Sequence, residues 1–164
     1  IVFGLFGYLF FNIYLKWGYS ILGGALTLSI MVLPLILRTT EEALRSVSDT
    51  YREGSFGLGA GKLRTVFRIV LPSAVPGILA GVILAIGRVV GETAALLFPA
   101  GTAPQVADGL FSSGRTLAVH MYALLNEGLY TEQAYATAVV LLVLVVCINA
   151  LSSFAAKKAG VKEK

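Results

Sequence analysis

Long apolar runs separated by polar connections make up most of this chain. A helix needs roughly 20 apolar residues to cross a bilayer, and four runs qualify as spans, the first incompletely: residues 1–15, 21–37, 69–98 and 134–156. The run VLLVLVV at 140–146 lacks the alternation of a membrane β-strand. Because backbone groups in lipid must be hydrogen-bonded within their own segment, the pattern predicts a single all-α transmembrane domain with about four spanning helices.

The polar connection at residues 38–68 carries two helix signals. Thr39 followed by Glu42 forms a capping box, which predicts a helix that begins at Thr39. The apolar positions of this helix repeat at helical spacing, as expected for a helix lying on the membrane surface: Leu44, Val47 and Tyr51. A glycine-rich turn follows, and a second short helix is expected from Lys62. Its apolar face is predicted to contain Leu63, Val66, Phe67 and Val70.

The connection at residues 99–133 predicts one further short helix, either interfacial or re-entrant. Its apolar positions fall near helical spacing and are Leu117, Met121, Leu124 and Leu125. Gly128 is suited to the position just after the helix end. In the preceding span, Gly77-x3-Gly81 and Gly87-x3-Gly91 predict close helix packing, within the subunit or against a second membrane subunit.

The composition agrees with a membrane location. Apolar residues make up 57% of the chain and charged residues 13%, whereas soluble domains carry about 25% charged residues. The charged residues are too few to form the polar surface that a water-soluble core of this size needs, so water-soluble classes are excluded. Ile1 lies inside an apolar run without a Met or a basic leader, so we expect missing upstream segments and no signal peptide.

Basic residues are concentrated in two connections, and this sets the expected orientation. Of the 13 Lys and Arg residues, the loop 38–68 holds six and the tail 157–164 holds four. The other two connections hold only Lys16 and Arg115. The positive-inside rule then places the loop and the C-terminus in the cytoplasm and residues 99–133 outside. The same loops explain the pI of about 9.3, so we expect the lipid bilayer, and no nucleic acid, as a partner.

Two ionisable residues, Arg88 and Glu92, lie inside the predicted span 69–98, where each costs on the order of 2.5 to 3.5 kcal/mol. Their i, i+4 spacing allows an ion pair on one helical face. Alternatively, Arg88 offers a forked donor to an anion in a substrate pathway, with Thr93 as a hydroxyl donor. The pathway is favoured because Arg precedes Glu, the weaker order for a helical pair. It requires Glu92 to pair elsewhere in one conformation.

Catalytic chemistry is not expected from this chain. The stretch GLGAGKLRT at 57–65 suggests a nucleotide-binding loop, but that motif requires Gly at Phe56 and Ser or Thr at Leu63. No nucleophile and base are arranged together, and His120 has no neighbouring ligand residues. We therefore expect no catalytic residue, metal or cofactor in this chain. If ATP drives its activity, we expect a partner protein to bind and hydrolyse the nucleotide.

One motif spans the cytoplasmic loop and the start of the next span. The pattern Glu53-Gly54-Ser55-x3-Gly59-x9-Ile69-x-Leu71-Pro72 resembles the EAA loop of ABC importer permeases, E-A-A-x3-G-x9-I-x-L-P. The departure is Gly54-Ser55 in place of two alanines, and Gly54 weakens a helix by roughly 1 kcal/mol relative to Ala. The stretches GRVVGETAALL at 87–97, IVFGLFGY at 1–8 and RTTEEALRSVSDTYREGSFGLGA at 38–60 resemble the A-type permease subunits of bacterial Pst phosphate importers.

This resemblance implies a MetI-like permease domain in the bacterial inner membrane, with the loop as a coupling helix. The implied partners are a cytoplasmic ABC ATPase dimer, a second homologous permease and a periplasmic phosphate-binding protein. Two alternatives remain open. One is a permease for another oxyanion, such as molybdate or sulfate. The other is an ATP-independent anion channel or secondary transporter, in which substitutions of Glu53 would be harmless.

Overall fold

The computed structural model describes residues 1–128 and 130–158, with side chains described up to Phe154. All regular elements in this part of the chain are helical. They are α1 (Val2–Gly7) with a π-helical continuation (Tyr8–Tyr14), α2 (Ile21–Arg45), α3 (Asp49–Gly57), α4 (Lys62–Thr65) with a π-helical continuation (Val66–Val70), α5 (Leu71–Gly91), α6 (Leu117–Glu127) and α7 (Thr131–Lys158).

The all-α membrane prediction is confirmed. Three stretches are long and apolar enough to cross a bilayer: Ile21–Arg45, Lys62–Gly91 and Thr131–Phe154. The first apolar run forms the shorter helix Val2–Tyr14, so the described residues contain three spanning candidates where the sequence predicted about four. Of the predicted cytoplasmic tail, 157–164, the first two residues end α7, and the part from Ala159 onward lies outside the described residues.

The chain divides into two compact units. The first unit contains residues 1–33 and 87–148, and the second contains residues 34–86 together with the described residues from Asn149 onward. In the first unit, the apolar core is formed by buried residues with two partly buried neighbours: Leu96, Ala100, Val119, Leu28 and Leu97. In the second unit, the core is formed by Ala43, Val47, Val70 and Ala74, with Leu44 and Ile78 packed against them.

A buried asparagine connects distant segments of the first unit. Asn12 is only 8% exposed, and its Nδ2 donates to the carbonyl oxygens of Phe98 and Pro99 at 3.3 Å each. The Ser20 amide also donates to the Pro99 carbonyl oxygen, at 3.1 Å. These donors satisfy carbonyl groups in an irregular segment, as non-helical backbone at membrane depth requires.

The predicted short helix is present as α6, although only Leu124 of its predicted apolar positions is buried. Helix α6 begins after Thr116, whose hydroxyl oxygen accepts a hydrogen bond from the Val119 amide. It ends at Gly128, which has a φ of 68° and donates its amide to the Leu125 carbonyl. A left-handed residue at this position is common at helix C-termini and favours glycine. The predicted helix end at Gly128 is therefore present, whereas the cap at Thr116 was not predicted.

The predicted helix start at Thr39 is wrong, because α2 continues without interruption to Arg45. The Thr39 hydroxyl donates to the carbonyl oxygens of Leu35 and Ile36, at 3.1 and 3.2 Å, and does not cap an amide. Threonine inside a helix often bonds to the preceding turn in this way. Helix α2 ends at Arg45 and α3 begins at Asp49, so the single surface helix predicted through Tyr51 is divided between them.

The predicted apolar face after Lys62 is also wrong, although α4 does begin at Lys62. Leu63, Val66 and Phe67 are 75%, 44% and 64% exposed, and only Val70 of the predicted set is buried. The buried residues are Thr65 and Val70, which are five positions apart. This spacing matches the i to i+5 hydrogen bonds of the π-helical segment Val66–Val70, which begins directly after Thr65.

The prediction of close packing at Gly77 and Gly81 is confirmed within the second unit. A Cβ atom at Gly77 would lie 2.7 Å from the Cβ of Ala43, and a Cβ at Gly81 would overlap the Thr39 side chain. The absence of side chains at these glycines thus lets α5 approach α2 closely. Gly91 differs from them, since no described atom lies within 4 Å of the position that its Cβ would occupy.

Gly77→Ala is expected to destabilise the second unit by about 1–3 kcal/mol, because the added methyl overfills a close contact. The reciprocal change Ala43→Gly removes the only side-chain atom found near that position, so Gly77→Ala with Ala43→Gly should recover most of the loss. Thermal unfolding of the purified protein in detergent measures both effects. Gly91→Ala is the matched control and should be tolerated. Equal destabilisation by the single and double variants would contradict this packing.

Candidate functional site

Helix α3, which carries the start of the EAA-like motif, is anchored to the end of α2. The guanidinium of Arg52 forms an ion pair with Asp49 in the first turn of α3. Its Nη2 also donates to the Leu44 carbonyl oxygen in α2, at 2.8 Å. Because that carbonyl belongs to the last turn of α2, which lacks helical partners of its own, Arg52 fixes the angle at which the chain enters α3.

A buried hydroxyl pair joins α3 to α4. The Oγ of Ser55 lies 2.8 Å from the Oγ1 of Thr65, and the two residues are only 4% and 1% exposed. Thr65 Oγ1 also donates to the Gly61 carbonyl oxygen at 3.2 Å, so the proton between the two hydroxyls comes from Ser55. Since the helix from Lys62 runs unbroken to Gly91, this contact attaches α3 to the base of a spanning helix.

The backbone conformation at position 59 explains why the motif has a glycine there. Gly59 has a φ of 80°, a value that residues with a Cβ rarely adopt. Its amide donates to the Phe56 carbonyl oxygen at 2.9 Å, and the Ala60 amide donates to the Ser55 carbonyl oxygen at 3.1 Å. The tight turn closes α3 and returns the chain to α4. The later motif residues follow on this helix: Ile69 and Leu71 are half-buried, and Pro72 is exposed.

Residues 49–65, called the platform below, present an exposed outer surface. Glu53 and Gly54 are exposed, as are several large apolar side chains: Tyr51 at 59%, Leu58 at 90% and Leu63 at 75%. Apolar groups clustered on a surface with charged residues mark an interaction site more often than a free surface. The platform therefore combines a rigid backbone with an accessible acid and apolar contacts.

Gly54→Ala is expected to stabilise α3 by about 1 kcal/mol, because glycine weakens a helix interior by that amount. No atom lies within 4 Å of a Cβ built at Gly54, so the methyl group should meet no obstacle within the described part of this chain. Hydrogen exchange of the α3 amides measures the change, which should appear as roughly fivefold slower exchange. Gly59→Ala is the contrasting variant and should speed exchange because of its positive φ. Slower exchange in both variants would contradict this account.

The predicted span 69–98 is too long, because α5 ends at Gly91. The Glu92 carboxylate accepts a hydrogen bond from the Ala95 amide at 3.2 Å, and the Thr93 carbonyl accepts the amides of Leu96 and Leu97. A carboxylate that bonds a free amide two or three residues ahead acts as a cap and favours a new turn. Glu92 therefore belongs to the turn that follows α5.

An Arg88–Glu92 ion pair is not present in the part of the chain that the structure describes. The ion pairs found there are Glu41–Arg45 and Asp49–Arg52, and the Glu92 carboxylate is used by the Ala95 amide. Glu92 lies one position beyond the end of α5, and its carboxylate belongs to the following turn. Arg88 is exposed, and no hydrogen bond to it occurs among the described residues.

Two cavities flank this turn region in the first unit. Thr93 lines a cavity of about 340 Å³ together with apolar and aromatic neighbours: Ile1, Ala94, Leu97, Phe98 and Tyr122. A second cavity of about 470 Å³ is lined by Arg115, Gln105 and Thr116 among apolar residues. Of the three residues predicted for the pathway, the structure thus places Thr93 on a cavity, while Arg88 and Glu92 line neither one.

Two polar residues with tertiary contacts, Asn12 and Arg115, were not among the predicted site residues. Asn12 is the one amide in the apolar run IVFGLFGYLFFNIYL, and a polar residue in such a run was a usable signal. Arg115 carried no local signal, because its neighbours in the cavity come from residues 21–28 and 96–107.

Comparison with known proteins gives the family context. The family model described as "Binding-protein-dependent transport system inner membrane component" matches residues 1–160. The "Probable ABC transporter permease protein YqgI" of Bacillus subtilis is 42% identical over 80% of this chain and 49% of that protein. The "Phosphate transport system permease protein PstA homolog" of Mycoplasma pneumoniae is 35% identical over 94% of this chain and 25% of that protein.

A further relative supports the same relationship. The "Phosphate transport system permease protein PstA" of Mycobacterium leprae is 38% identical over 76% of this chain and 42% of that protein. The chain thus spans between about a quarter and a half of the length of these curated relatives. No solved structure matches the chain at a significant level.

Proposed function

Because the chain belongs to the family of binding-protein-dependent transport system inner membrane components, we propose that it is a permease subunit of an ATP-driven importer of inorganic phosphate. The membrane location follows from the family and from three apolar helices long enough to span. The phosphate assignment rests on relatives whose names state phosphate transport. ATP hydrolysis is assigned to a partner, because the stretch at 57–65 departs from the nucleotide-loop motif at Phe56 and Leu63.

The observation that carries this proposal is the mechanical continuity of the platform. Arg52 attaches α3 to α2, and the Ser55–Thr65 contact attaches α3 to the helix Lys62–Gly91. A force applied to α3 from the cytoplasm would therefore reach two spanning helices. This is what a coupling element driven by a separate ATPase dimer requires, and a flexible loop would not transmit it.

We assign the ATPase contact to the motif residues by their different roles. Glu53 supplies an exposed charge, and Gly54 allows close approach of a partner. Ser55 and Gly59 fix the geometry of the platform through the buried hydroxyl pair and the positive φ. Ile69, Leu71 and Pro72 carry the motion into the base of α5. A second permease and a periplasmic phosphate-binding protein complete the proposed complex, with the platform and the C-terminus in the cytoplasm.

Arg88 is proposed as the anion contact of the translocation pathway, with Thr93 as a hydroxyl donor. A neutral Arg–Glu pair would not attract phosphate, so the proposal requires Glu92 to have another partner. The hydrogen bond from the Ala95 amide to Glu92 supplies that partner. An unpaired guanidinium, with its forked donors, suits a tetrahedral oxyanion better than any other side chain.

The proposal is tested by purifying the full-length protein with its natural partners and reconstituting the complex in liposomes. An ATPase should co-purify, and ATP hydrolysis should rise several-fold when phosphate and the phosphate-binding protein are present. Uptake of radiolabelled phosphate should require ATP and resist competition by molybdate and sulfate. Uptake without nucleotide would contradict an ATP-driven importer. Stronger competition by molybdate or sulfate than by unlabelled phosphate would show that one of those oxyanions is the preferred substrate.

A further inference from the structure

A basic cleft is formed by the second half of the platform and the start of the helix that follows it, and the proposed transport function gives its two arginines no role. The cleft has a volume of about 370 Å³ and lies entirely within the second unit. Two arginines, Arg64 and Arg68, line it, and the remaining walls come from small or apolar residues together with one hydroxyl residue: Ser55, Leu58, Gly59, Ala60 and Ile69. Both arginines are exposed, and neither forms a hydrogen bond or ion pair with any described residue.

The position of the cleft along the chain places it at the membrane surface. Arg64 and Arg68 occupy the first turns of the helix Lys62–Gly91, which is a spanning candidate. The apolar stretch of this helix begins at Ile69, so the two guanidinium groups lie at the depth of the lipid headgroups. Arginine side chains at the ends of spanning helices extend toward this interface.

The acids of the platform do not neutralise the cleft. Asp49 is already paired with Arg52. Glu53 precedes the cleft residue Ser55 by two positions, which corresponds to roughly 200° around a helix, so the two occupy opposite faces. The Ser55 side chain only lines the cleft, because its hydroxyl is already hydrogen-bonded to Thr65 Oγ1. The cleft thus keeps two positive charges with no acid of the platform beside them.

We propose that this cleft binds the phosphate of an anionic phospholipid headgroup, with Arg64 and Arg68 as the ligands. Two forked guanidinium groups match the oxygens of a phosphodiester. Leu58, which is 90% exposed, and Ile69 provide apolar contacts for the glycerol and the first acyl carbons. A lipid with a net negative charge is selected because a zwitterionic headgroup would bring its own cation to the two arginines. The inference depends on the membrane location and not on the transported substrate.

Native mass spectrometry of the full-length protein in its complex tests the proposal, with phosphatidylglycerol and phosphatidylcholine titrated separately. Basic residues near an anionic surface contribute roughly fivefold each to binding, so Arg64→Gln with Arg68→Gln should weaken phosphatidylglycerol binding on the order of 30-fold. Arg38→Gln with Arg45→Gln removes the same charge elsewhere in the second unit and should change it less than about twofold. Arg64→Lys with Arg68→Lys keeps the two charges without the forked donors, so it should weaken binding less than the glutamine variant does, and it serves if the glutamine variant fails to fold.

Several results would overturn the proposal. Equal binding of phosphatidylcholine, or unchanged binding in the glutamine variant, would show that the cleft does not select an anionic lipid. Displacement of phosphatidylglycerol by an equal concentration of inorganic phosphate would identify a site for free anions. Loss of the co-purifying ATPase with lipid binding intact would assign the two arginines to the partner protein.

Discussion

Replacing Arg88 by alanine is expected to reduce phosphate uptake on the order of 100-fold, while the complex still assembles. Two charge-assisted hydrogen bonds to the anion would be lost, and each is worth roughly 1.5–3 kcal/mol. Assembly should be unaffected because Arg88 is exposed and bonds to no described residue of its own chain. The measurements are radiolabelled phosphate uptake in liposomes and the yield of intact complex after purification.

Two further variants separate charge from geometry at this position. Arg88→Lys keeps the charge but not the forked donors, so we expect an intermediate loss of about 10-fold. Glu92→Gln should cost little, because the amide oxygen can still accept the hydrogen bond from Ala95. Arg38→Ala, an exposed arginine in the second unit, controls for the change in net charge. Normal uptake by Arg88→Ala would end the pathway assignment, and failed assembly would make Arg88 a structural residue.

Replacing Glu53 by glutamine should weaken the proposed contact with the ATPase and lower transport. Glu53 is exposed on α3 and forms no hydrogen bond within the described part of the chain, so its removal should not disturb the platform. Loss of a charge-assisted bond to the ATPase should lower phosphate-stimulated ATP hydrolysis and uptake together, by about 10- to 100-fold. Both activities are measured on the same reconstituted sample.

The control for Glu53 is Glu41→Gln, which removes an exposed carboxylate from α2 in the same unit. Glu41 pairs with Arg45 at 2.6 Å, with both side chains more than half exposed. Surface pairs of this kind contribute about 0–1 kcal/mol, so this variant should retain transport. Full activity of Glu53→Gln would favour the ATP-independent channel or secondary transporter, because only in those cases would the platform have no motor.

The assignments of the motif residues and of Arg88 differ in how much the sequence alone could predict. The motif residues from Glu53 to Pro72 were identified by their resemblance to the EAA loop, and the structure adds why Gly59 and Ser55 occupy their positions. Arg88 was identified by the energetic cost of an ionisable residue inside an apolar run. The sequence left open whether Glu92 pairs with it, because the end of α5 at Gly91 and the bond from the Ala95 amide to Glu92 could not be read from the spacing.

The sequence by itself determined the membrane class, the polar platform between α2 and α5, and helix α6 with its end at Gly128. Each of these depends on how one segment meets lipid or water, or on hydrogen bonds between residues three or four positions apart. Only the tertiary structure decided which faces are buried. The contacts of Asn12 with Phe98 and Pro99, of Gly77 with Ala43, and of Ser55 with Thr65 join segments that no local pattern pairs. Burial in these helices is set by the neighbouring element, because an apolar side chain in a membrane gains little from facing protein instead of lipid.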